Sequence, residues 1–569
     1  MRRLSTHGAI TLLLTLGASP SIADAAAEPS ESAHTVLPSV NARVIRDAGR
    51  RSADLPDDAS LAASGVRIGE IRIAPLEIFD TSLPEEDTAL FRLANTLHLR
   101  TRAATIEDQL LFASGDLYDG RLLQESARLL RSTRYLHDAR IVPVAMRDGV
   151  VDIEVETRDV WTLNPGISFG RKGGESTSGL ELEELNLLGL GIELGIGRTK
   201  DVDRTSTVFK YRDRQLGRSW WAVALDYADN SDGQRKGLAL DRDFYALDTR
   251  RAVGIAAVED ERIDARYDLG EEVGEYGIRR RFASLYGGWS KGLVDGEVLR
   301  WRIGYTFDES RFAAAPGSAL PTPLPADRKL AYPWLSAQWL EDDYRQLRNR
   351  DQIERTEDFA YGWRASVRLG IASPTFGADR SAVLFDGRVS RGFDLSSSSS
   401  VLLEATLNGR HEDGRFVDVQ ADGALRYYRR HSERRLSFAA VAVTLGHELD
   451  ADRQVLIGGD SGLRGYPLRY QAGEGRWLVT LEQRFYSDWY PFRLVNVGGA
   501  VFADVGGAFG DNAFGTRPQG ALADVGFGLR LGNSRSGLGN MLHIDLAFPL
   551  NGDPSIKEVQ LLVETKRSF

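Results

Sequence analysis

Residues 299–308 read LRWRIGYTFD, and the two sides of that stretch differ: Leu299, Trp301, Ile303, Tyr305 and Phe307 stand on one, Arg300, Arg302, Thr306 and Asp308 on the other. A period of two is a strand period, because successive side chains of a β-strand point to opposite faces. The same character returns three times further on. Tyr361, Trp363, Ala365, Val367 and Leu369 oppose Arg364, Ser366 and Arg368; Ala523, Val525, Phe527, Leu529 and Leu531 oppose Asp524 and Arg530; Leu542, Ile544, Leu546 and Phe548 oppose His543 and Asp545. Such segments fill residues 163–569, far too long a stretch to be structureless. Alternation alone also fits a soluble sandwich, which turns its apolar face inward over a thin core. Two further features favour a transmembrane barrel. Trp220, Trp221, Trp334, Trp339, Trp477, Trp489 and Tyr490 gather toward strand ends, as an interfacial girdle requires. The proline-rich connection from Ala313 to Arg328 alternates with tight Gly/Asp/Asn turns, the pattern of long outer loops and short periplasmic ones. At about 25 residues per strand plus connection, the region predicts a sixteen-stranded antiparallel transmembrane β-barrel over 163–569. Closure would let every backbone N–H and C=O find its partner between strands.

Composition agrees with a mostly β membrane protein. The chain has 569 residues, 42% of them hydrophobic and 27% charged, with no cysteine and a formal net charge of −10. The missing cysteines exclude disulfide frameworks, thiolate metal sites and cysteine nucleophiles. The acidic balance lacks the footprint of a dedicated nucleic-acid binder, so no nucleic-acid partner is expected. A mean hydropathy of −0.28 argues against membrane helices, whereas alternating strands hide their hydrophobicity from an average.

Upstream of the alternating region the chain changes character twice. Arg2 and Arg3, an apolar run from about Gly8 to Ala18, and small residues at Ser21, Ala23 and Ala25 have the layout of a secretory signal peptide, 1–23 if cleaved after Ala23. Residues 24–65, rich in Ala, Ser, Pro, Asp and Arg, read as a linker. A small α/β module then occupies 66–162. Val66 to Ile73 is β-branched and bounded by Gly65 and Pro75, and Leu90, Leu93, Ala94 and Leu97 recur at helical spacing. Thr105 with Asp108 predicts a capping box opening a helix through Phe112, and Asp119 a second cap for a helix to about Thr133. Two alternating segments joined at Asp148-Gly149 make a closing hairpin, giving the order β-α-α-β-β.

That order, with GDLYDGRLLQESARLLRSTRYLHDARIVPV (115–144) and VDIEVETRDVWTL (151–163), resembles a single POTRA domain, the periplasmic module of the BamA/TamA superfamily, also called the bacterial surface antigen family. The segment GGDSGLRGYP (458–467) carries Leu463, Arg464, Gly465 and Tyr466, which resemble the [V/L]RG[F/Y] motif of that superfamily's long sixth loop. Phe502 to Gly506 is similar to its FxDxG strand motif, Glu482 lies in the matching WLVTLEQRF strand, and Asn186, Gly189 and Gly191 sit in a stretch similar to its NLxGxG early turn. The final Phe569, in step with Val559, Leu561 and Val563, resembles a C-terminal barrel-assembly signal, with Arg567 where an aromatic residue is common.

Physical reasoning gives these residues a task. Alternation puts Thr480, Glu482, Arg484 and Tyr486, and also Phe502 and Asp504, on the lumenal face. A planar guanidinium carried inward on a loop can hold two carboxylates at once, so Arg464 with Asp504 and Glu482 makes a candidate latch. The first barrel segment, Leu163 to Gly170, contains Pro165 and Gly166, which weaken a ladder and predict a poorly zipped seam against the last strand. The resemblance then implies insertion or translocation of client proteins at the bacterial outer membrane, with the module in the periplasm. Its partners would be unfolded or nascent outer-membrane or surface proteins, outer-membrane lipid and accessory periplasmic proteins. A passive outer-membrane pore, or a barrel displaying a partner, remains the alternative. Gly459-Asp460-Ser461-Gly462 mimics a serine-protease motif without a matching His and Asp, and His137-Asp138 is a lone metal-hydrolase dyad. With no GxSxG, Walker loop or HExxH, the chain reads as a non-enzyme with no cofactor or metal.

Overall fold

The computed structural model describes residues 55–317, 324–512, 515–518, 520–537 and 541–566. The signal segment, most of the linker and Phe569 lie outside these residues.

An α/β domain comes first and begins earlier than the sequence reading placed it. Within the expected linker a helix, Asp58–Ala63, is capped by the Asp57 carboxylate, which accepts the Ser60 N–H at 2.7 Å. Its Leu61 is fully buried among Ile68, Ile106, Leu123, Leu130 and Ile153, and one inserted leucine is too short a pattern to stand out from a polar stretch. The strand Arg67–Leu76, the helices Ala89–Leu97, Ala103–Glu107 and Gly120–Arg131, and the strands Leu136–Arg147 and Val150–Asp159 follow. Val150–Asp159 is central, parallel to Arg67–Leu76 and antiparallel to Leu136–Arg147. Asp119 caps the Gly120–Arg131 helix by accepting from the Arg121 N–H. Thr105, by contrast, opens no helix. It lies inside Ala103–Glu107, and its hydroxyl donates to the Gly189 carbonyl at 2.8 Å, a tertiary partner replacing the local cap.

The remainder is a closed antiparallel barrel of twenty strands, from Leu163–Lys172 to Gln560–Lys566. Sixteen was an undercount, because several connections are two-residue turns and a strand with its connection averages about twenty residues. Leu285, Ile303, Val367, Leu481, Phe527 and Leu529 stand on the outer surface, each about half exposed, while Asp504, Asp524, Arg530, His543 and Asp545 are buried inside. An apolar exterior around a charged interior suits a hydrocarbon surround, and among the described residues no helix is long and apolar enough to cross a membrane. Trp334 departs from the girdle reading. It is buried in mid-strand, and its indole N–H donates to Thr306 Oγ1 inside the barrel.

The chain enters and leaves at one end, here called the domain end, and not every connection there is short. Residues 342–363 fold inward, with Tyr344–Leu347 paired to Glu357–Ala360. Ile353 at the tip packs against Tyr428, Leu436, Phe438, Tyr486 and Met541. Tyr361, expected on an outer face, turns in with this insert and donates no strand position; its hydroxyl accepts from Arg350 at 2.9 Å.

The barrel closes unevenly. The wall Arg251–Asp268 pairs with Glu271–Val294 from Arg251 opposite Trp289 to Asp268 opposite Glu271. At the seam, Gln560–Lys566 pairs with Leu163–Lys172 only at Val563 opposite Arg171, supplemented by an ion pair between Lys172 and Glu564. Below that point the entering chain leans away from the last strand. Trp161 bonds instead to the 534–537 turn, its N–H to the Arg535 carbonyl at 2.7 Å and its carbonyl to the Gly537 N–H at 3.0 Å, and Ser536 Oγ donates to Asn164.

Candidate functional site

The connection 448–474 turns back into the lumen from the end opposite the domain. Its stem is a short ladder, Val455 opposite Gly473 to Ile457 opposite Gln471. Beyond it the chain reverses: the Gly459 N–H donates to the Pro467 carbonyl at 2.8 Å and the Tyr466 N–H to the Leu463 carbonyl at 3.1 Å. Leu463 and Tyr466 are fully buried with Ile457, Tyr470, Leu478, Ala508 and Leu522. That apolar contact drives the loop inward, since exposing these side chains in a wet lumen would forfeit their transfer free energy.

Arg464 stands at the apex. Its Nε and Nη2 donate to the two oxygens of Asp504 at 2.7 and 3.1 Å, and its Nη1 donates to Glu482 Oε2 at 3.1 Å and Asp545 Oδ2 at 3.3 Å. The guanidinium carbon lies 3.3 Å from the centroid of the Phe502 ring, which it covers. The loop residue thus meets the FxDxG-like strand through both its carboxylate and its aromatic ring. Gly465 donates its N–H to Asp524 Oδ2 at 3.0 Å, and a Cβ there would come within 2.7 Å of the Asp524 Cβ, so this approach admits no side chain. Tyr466 Oη donates to the Ala523 carbonyl and accepts the Ala523 N–H at 3.0 Å, tying the loop to the start of the Leu522–Asn533 strand.

Four consecutive strands supply the lumenal wall: Glu482 from Gly475–Tyr486, Asp504 from Val495–Phe509, Asp524 from Leu522–Asn533 and Asp545 from Met541–Pro549. Arg530 bridges Glu482 and Asp545, and Arg484 donates to Glu482 Oε1 at 2.9 Å. All seven charged groups are nearly or wholly buried. Charges in such a setting are tolerable only when mutually paired and hydrogen-bonded. Sequence reasoning named Arg464, Glu482 and Asp504 and omitted Asp545, Asp524 and Arg530. The omitted residues stood on the polar faces of alternating strands, which was the available signal. Of the two decoys, Ser461 Oγ accepts the Gly458 N–H inside the loop turn, and Asp138 accepts from Thr356 Oγ1 at the domain end.

The network continues toward the domain. Arg484 Nη1 donates to the Arg350 carbonyl at 2.7 Å, in the inserted 342–363 segment, and the Arg350 guanidinium lies 3.8 Å from the Tyr428 ring centroid. On the insert's far side Asp358 holds Arg131 of the α/β domain through two bonds of 2.8 and 2.7 Å. A chain of polar contacts thereby joins the loop apex to the domain helix.

The early-turn residues lie in the joint between domain and barrel. Asn186, buried, accepts the Gly191 N–H at 2.6 Å and donates to Thr101 Oγ1 at 2.8 Å; the Gly189 carbonyl accepts from the Arg102 N–H and from Thr105 Oγ1. Gly189 has a φ of +74° and a Cβ there would lie 2.4 Å from the Arg100 carbonyl oxygen, so only glycine fits. At another contact between domain and barrel, Glu125 accepts the Leu247 N–H at 2.8 Å and an Arg121 N–H at 2.9 Å. Burial pushes the Glu125 carboxyl up to about 7, outweighing these stabilising bonds. Arg535 pairs with Glu86 and donates to the Ile78 carbonyl, fastening the domain to the 534–537 turn.

Neither a protein-family model nor a curated protein sequence matches the chain. Among solved structures it is similar to BamA from Haemophilus ducreyi lacking POTRA domains 1–3, at 14% identity over 87% of this chain and 83% of that one, with a TM-score of 0.36. It is also similar to CdiB from Escherichia coli, at 13% identity over 88% and 76% with a TM-score of 0.41. The FrpB iron transporter from Neisseria meningitidis aligns at 9% identity over 75% and 87% with a TM-score of 0.38. At these identities and TM-scores the likenesses assign no activity.

Proposed function

We propose that this chain is an outer-membrane barrel of the BamA/TamA type that inserts or translocates client proteins, receiving a client strand at its seam. The observation that carries the reading is the contrast between a continuous ladder around the barrel and a junction of Gln560–Lys566 with Leu163–Lys172 paired only at Val563 and Arg171. An unpaired strand margin is a template for β-augmentation. The POTRA-like domain also presents an edge strand, Leu136–Arg147, whose outer side pairs with no strand among the described residues. Arg464, Glu482 and Asp504 then act as the latch that keeps the loop folded inside while the seam opens. The clients are unfolded outer-membrane or surface proteins, and the contact chain through Arg484, the 342–363 insert and Arg131 relates client capture in the periplasm to the state of the latch.

The pore alternative draws little from the lumen. Of the four arginines that would line such a pore, Arg300 donates to the Ala246 carbonyl, Arg302 to Asp243 and Arg364 to Tyr344 of the inward insert, so these three brace the domain end, while Arg368 stays half-exposed beside Asp386.

A seam lock tests the proposal. The chain has no cysteine, so Arg171→Cys with Val563→Cys creates a single possible disulfide. Oxidation is expected to abolish insertion of a reporter barrel into liposomes containing this protein, with recovery on reduction. Undiminished insertion by the locked barrel would overturn the reading.

A further inference from the structure

On the outer wall near the domain end lies a groove of about 770 Å³, bordered by Trp221, Trp289 and three exposed arginines, Arg242, Arg250 and Arg251. Its floor follows from one missing side chain. Val253, Gly287 and Ile303 are register neighbours on three adjacent strands, and Gly287 leaves a trough between the exposed apolar side chains of the other two. The arginines stand at one end of this trough. Arg242 lies opposite Val253 in the ladder and covers the ring of Tyr245 at 5.8 Å, and Arg251 ends its strand two residues from Val253. Arg250 belongs to the adjoining turn, and its carbonyl accepts the Ser290 N–H.

The charge balance here is unlike that inside the barrel. Arg464, Arg484 and Arg530 are each matched to carboxylates, whereas Arg242, Arg250 and Arg251 have no ion pair among the described residues. Three unmatched guanidiniums within one groove favour an anion, and their donor forks suit phosphate oxygens. The depression at Gly287 lies on the mid-barrel side of them, between Val253 and Ile303 and bounded further on by the exposed Leu285, and offers a hydrocarbon chain an apolar surface. Tryptophans flanking such a place belong to the level of lipid headgroups.

We propose that this groove is a binding site for one anionic phospholipid of the domain-side leaflet, its phosphate held by Arg242, Arg250 and Arg251 and one acyl chain laid over Gly287 between Val253 and Ile303. The site rests on the reading of the barrel as membrane-embedded and is independent of any client. It sits beside the 243–250 turn whose Leu247 N–H holds Glu125, so the bound lipid adjoins the domain's seat.

Native mass spectrometry of the full chain in a neutral detergent, titrated with phosphatidylglycerol, tests it. Retention of a single phosphatidylglycerol in preference to phosphatidylcholine is expected. Replacing all three arginines with alanine should weaken retention about tenfold or more, because charge-assisted bonds are lost. Gly287→Phe should weaken it while leaving the arginines in place; a Cβ at 287 meets no atom within 4 Å, so this variant fills the trough without disturbing the ladder. Equal retention by the wild type and the triple variant would overturn the site, as would indifference to Gly287→Phe. Displacement of the lipid by millimolar inorganic phosphate would also overturn it, assigning the arginines to a soluble anion. Because seam-dependent insertion is read separately, failure here leaves the proposed function standing, and the reverse also holds.

Discussion

The barrel's two extremes lie in one sheet. Across the Arg251–Asp268 and Glu271–Val294 pair the ladder runs the full length of the first strand, from Trp289 to Glu271 on the second, apart from one bulge near Arg266, and side chains add ion pairs such as Arg279 with Glu259. At the seam the backbone supplies one register pair, and closure leans on other contacts: the Lys172–Glu564 pair, the Trp161 bonds to the 534–537 turn, and the inward loop, whose Leu468 lies against Gly173 of the first hairpin. The lesson is that a closed barrel can distribute its stability unevenly. The wall is held by a regular ladder of backbone bonds that any sequence of suitable period could make, and the seam by a few particular contacts of side chain and backbone.

This contrast can be broken most severely at the loop apex. Arg464→Ala would leave Asp504, Glu482 and Asp545 buried with their charge short of a partner, a loss of about 3–5 kcal/mol. Urea unfolding in detergent should register that loss, and hydrogen exchange should rise first in the strands from Gly475 to Pro549 while the 251–294 wall stays protected. Uniform exposure of both regions would mean that the contrast is not energetic. Arg464→Lys should recover part of the loss, since a point charge cannot grip two oxygens of Asp504 as the planar fork does.

A smaller effect is expected at the domain joint. Arg131→Ala removes two charged bonds to Asp358 and should weaken docking by about 2 kcal/mol. Faster proteolysis near Trp161, with the barrel itself intact, is the readout.

Acidity should tune the same joint. Burial raises the Glu125 carboxyl from the ordinary glutamate range to about 7 in the assembled chain, so its contribution is complete below about pH 4.5 and is lost as pH rises through 7. Between pH 6 and 8 docking should weaken by about 1 kcal/mol, and Glu125→Gln should abolish that dependence. Cleavage rates measured across this range would reveal the slope; a dependence that survives in the glutamine variant would assign it elsewhere.

The least effect belongs to the seam's ion pair. Lys172 is one-third exposed, so Lys172→Ala should cost about 0.5 kcal/mol. It should quicken exchange in Gln560–Lys566 and leave the opposite wall unchanged, sharpening the contrast without disrupting closure.

Much of the site could be read before the structure was known, for one reason: period-two alternation is a local property. It placed Glu482 and Asp504 on the inner face and set Asp524, Arg530 and Asp545 on the polar sides of their strands without joining them to the site, and the loop arginine was legible from the motif around it. The strand number was not legible, because it depends on how short each turn is. The inward course of 342–363 escaped for a different reason. Its anchors, Arg484 to the Arg350 carbonyl and Arg131 to Asp358, join residues 134 and 227 positions apart. The buried helix Asp58–Ala63 was missed because it carries a single core leucine in a polar context.

By itself the sequence determined which side chains of its regular strands face opposite ways, where a barrel region follows an α/β module, and which loop carries an arginine able to serve several carboxylates. Only the tertiary structure decided that twenty strands close the ring, that Asp545 joins Asp504 and Glu482 around Arg464, and that an insert links this cluster to the domain. The division has a physical basis. The facing of a side chain follows from the dihedral angles of its own strand, whereas ring size and partner choice follow from contacts between segments that meet only when the whole chain has closed.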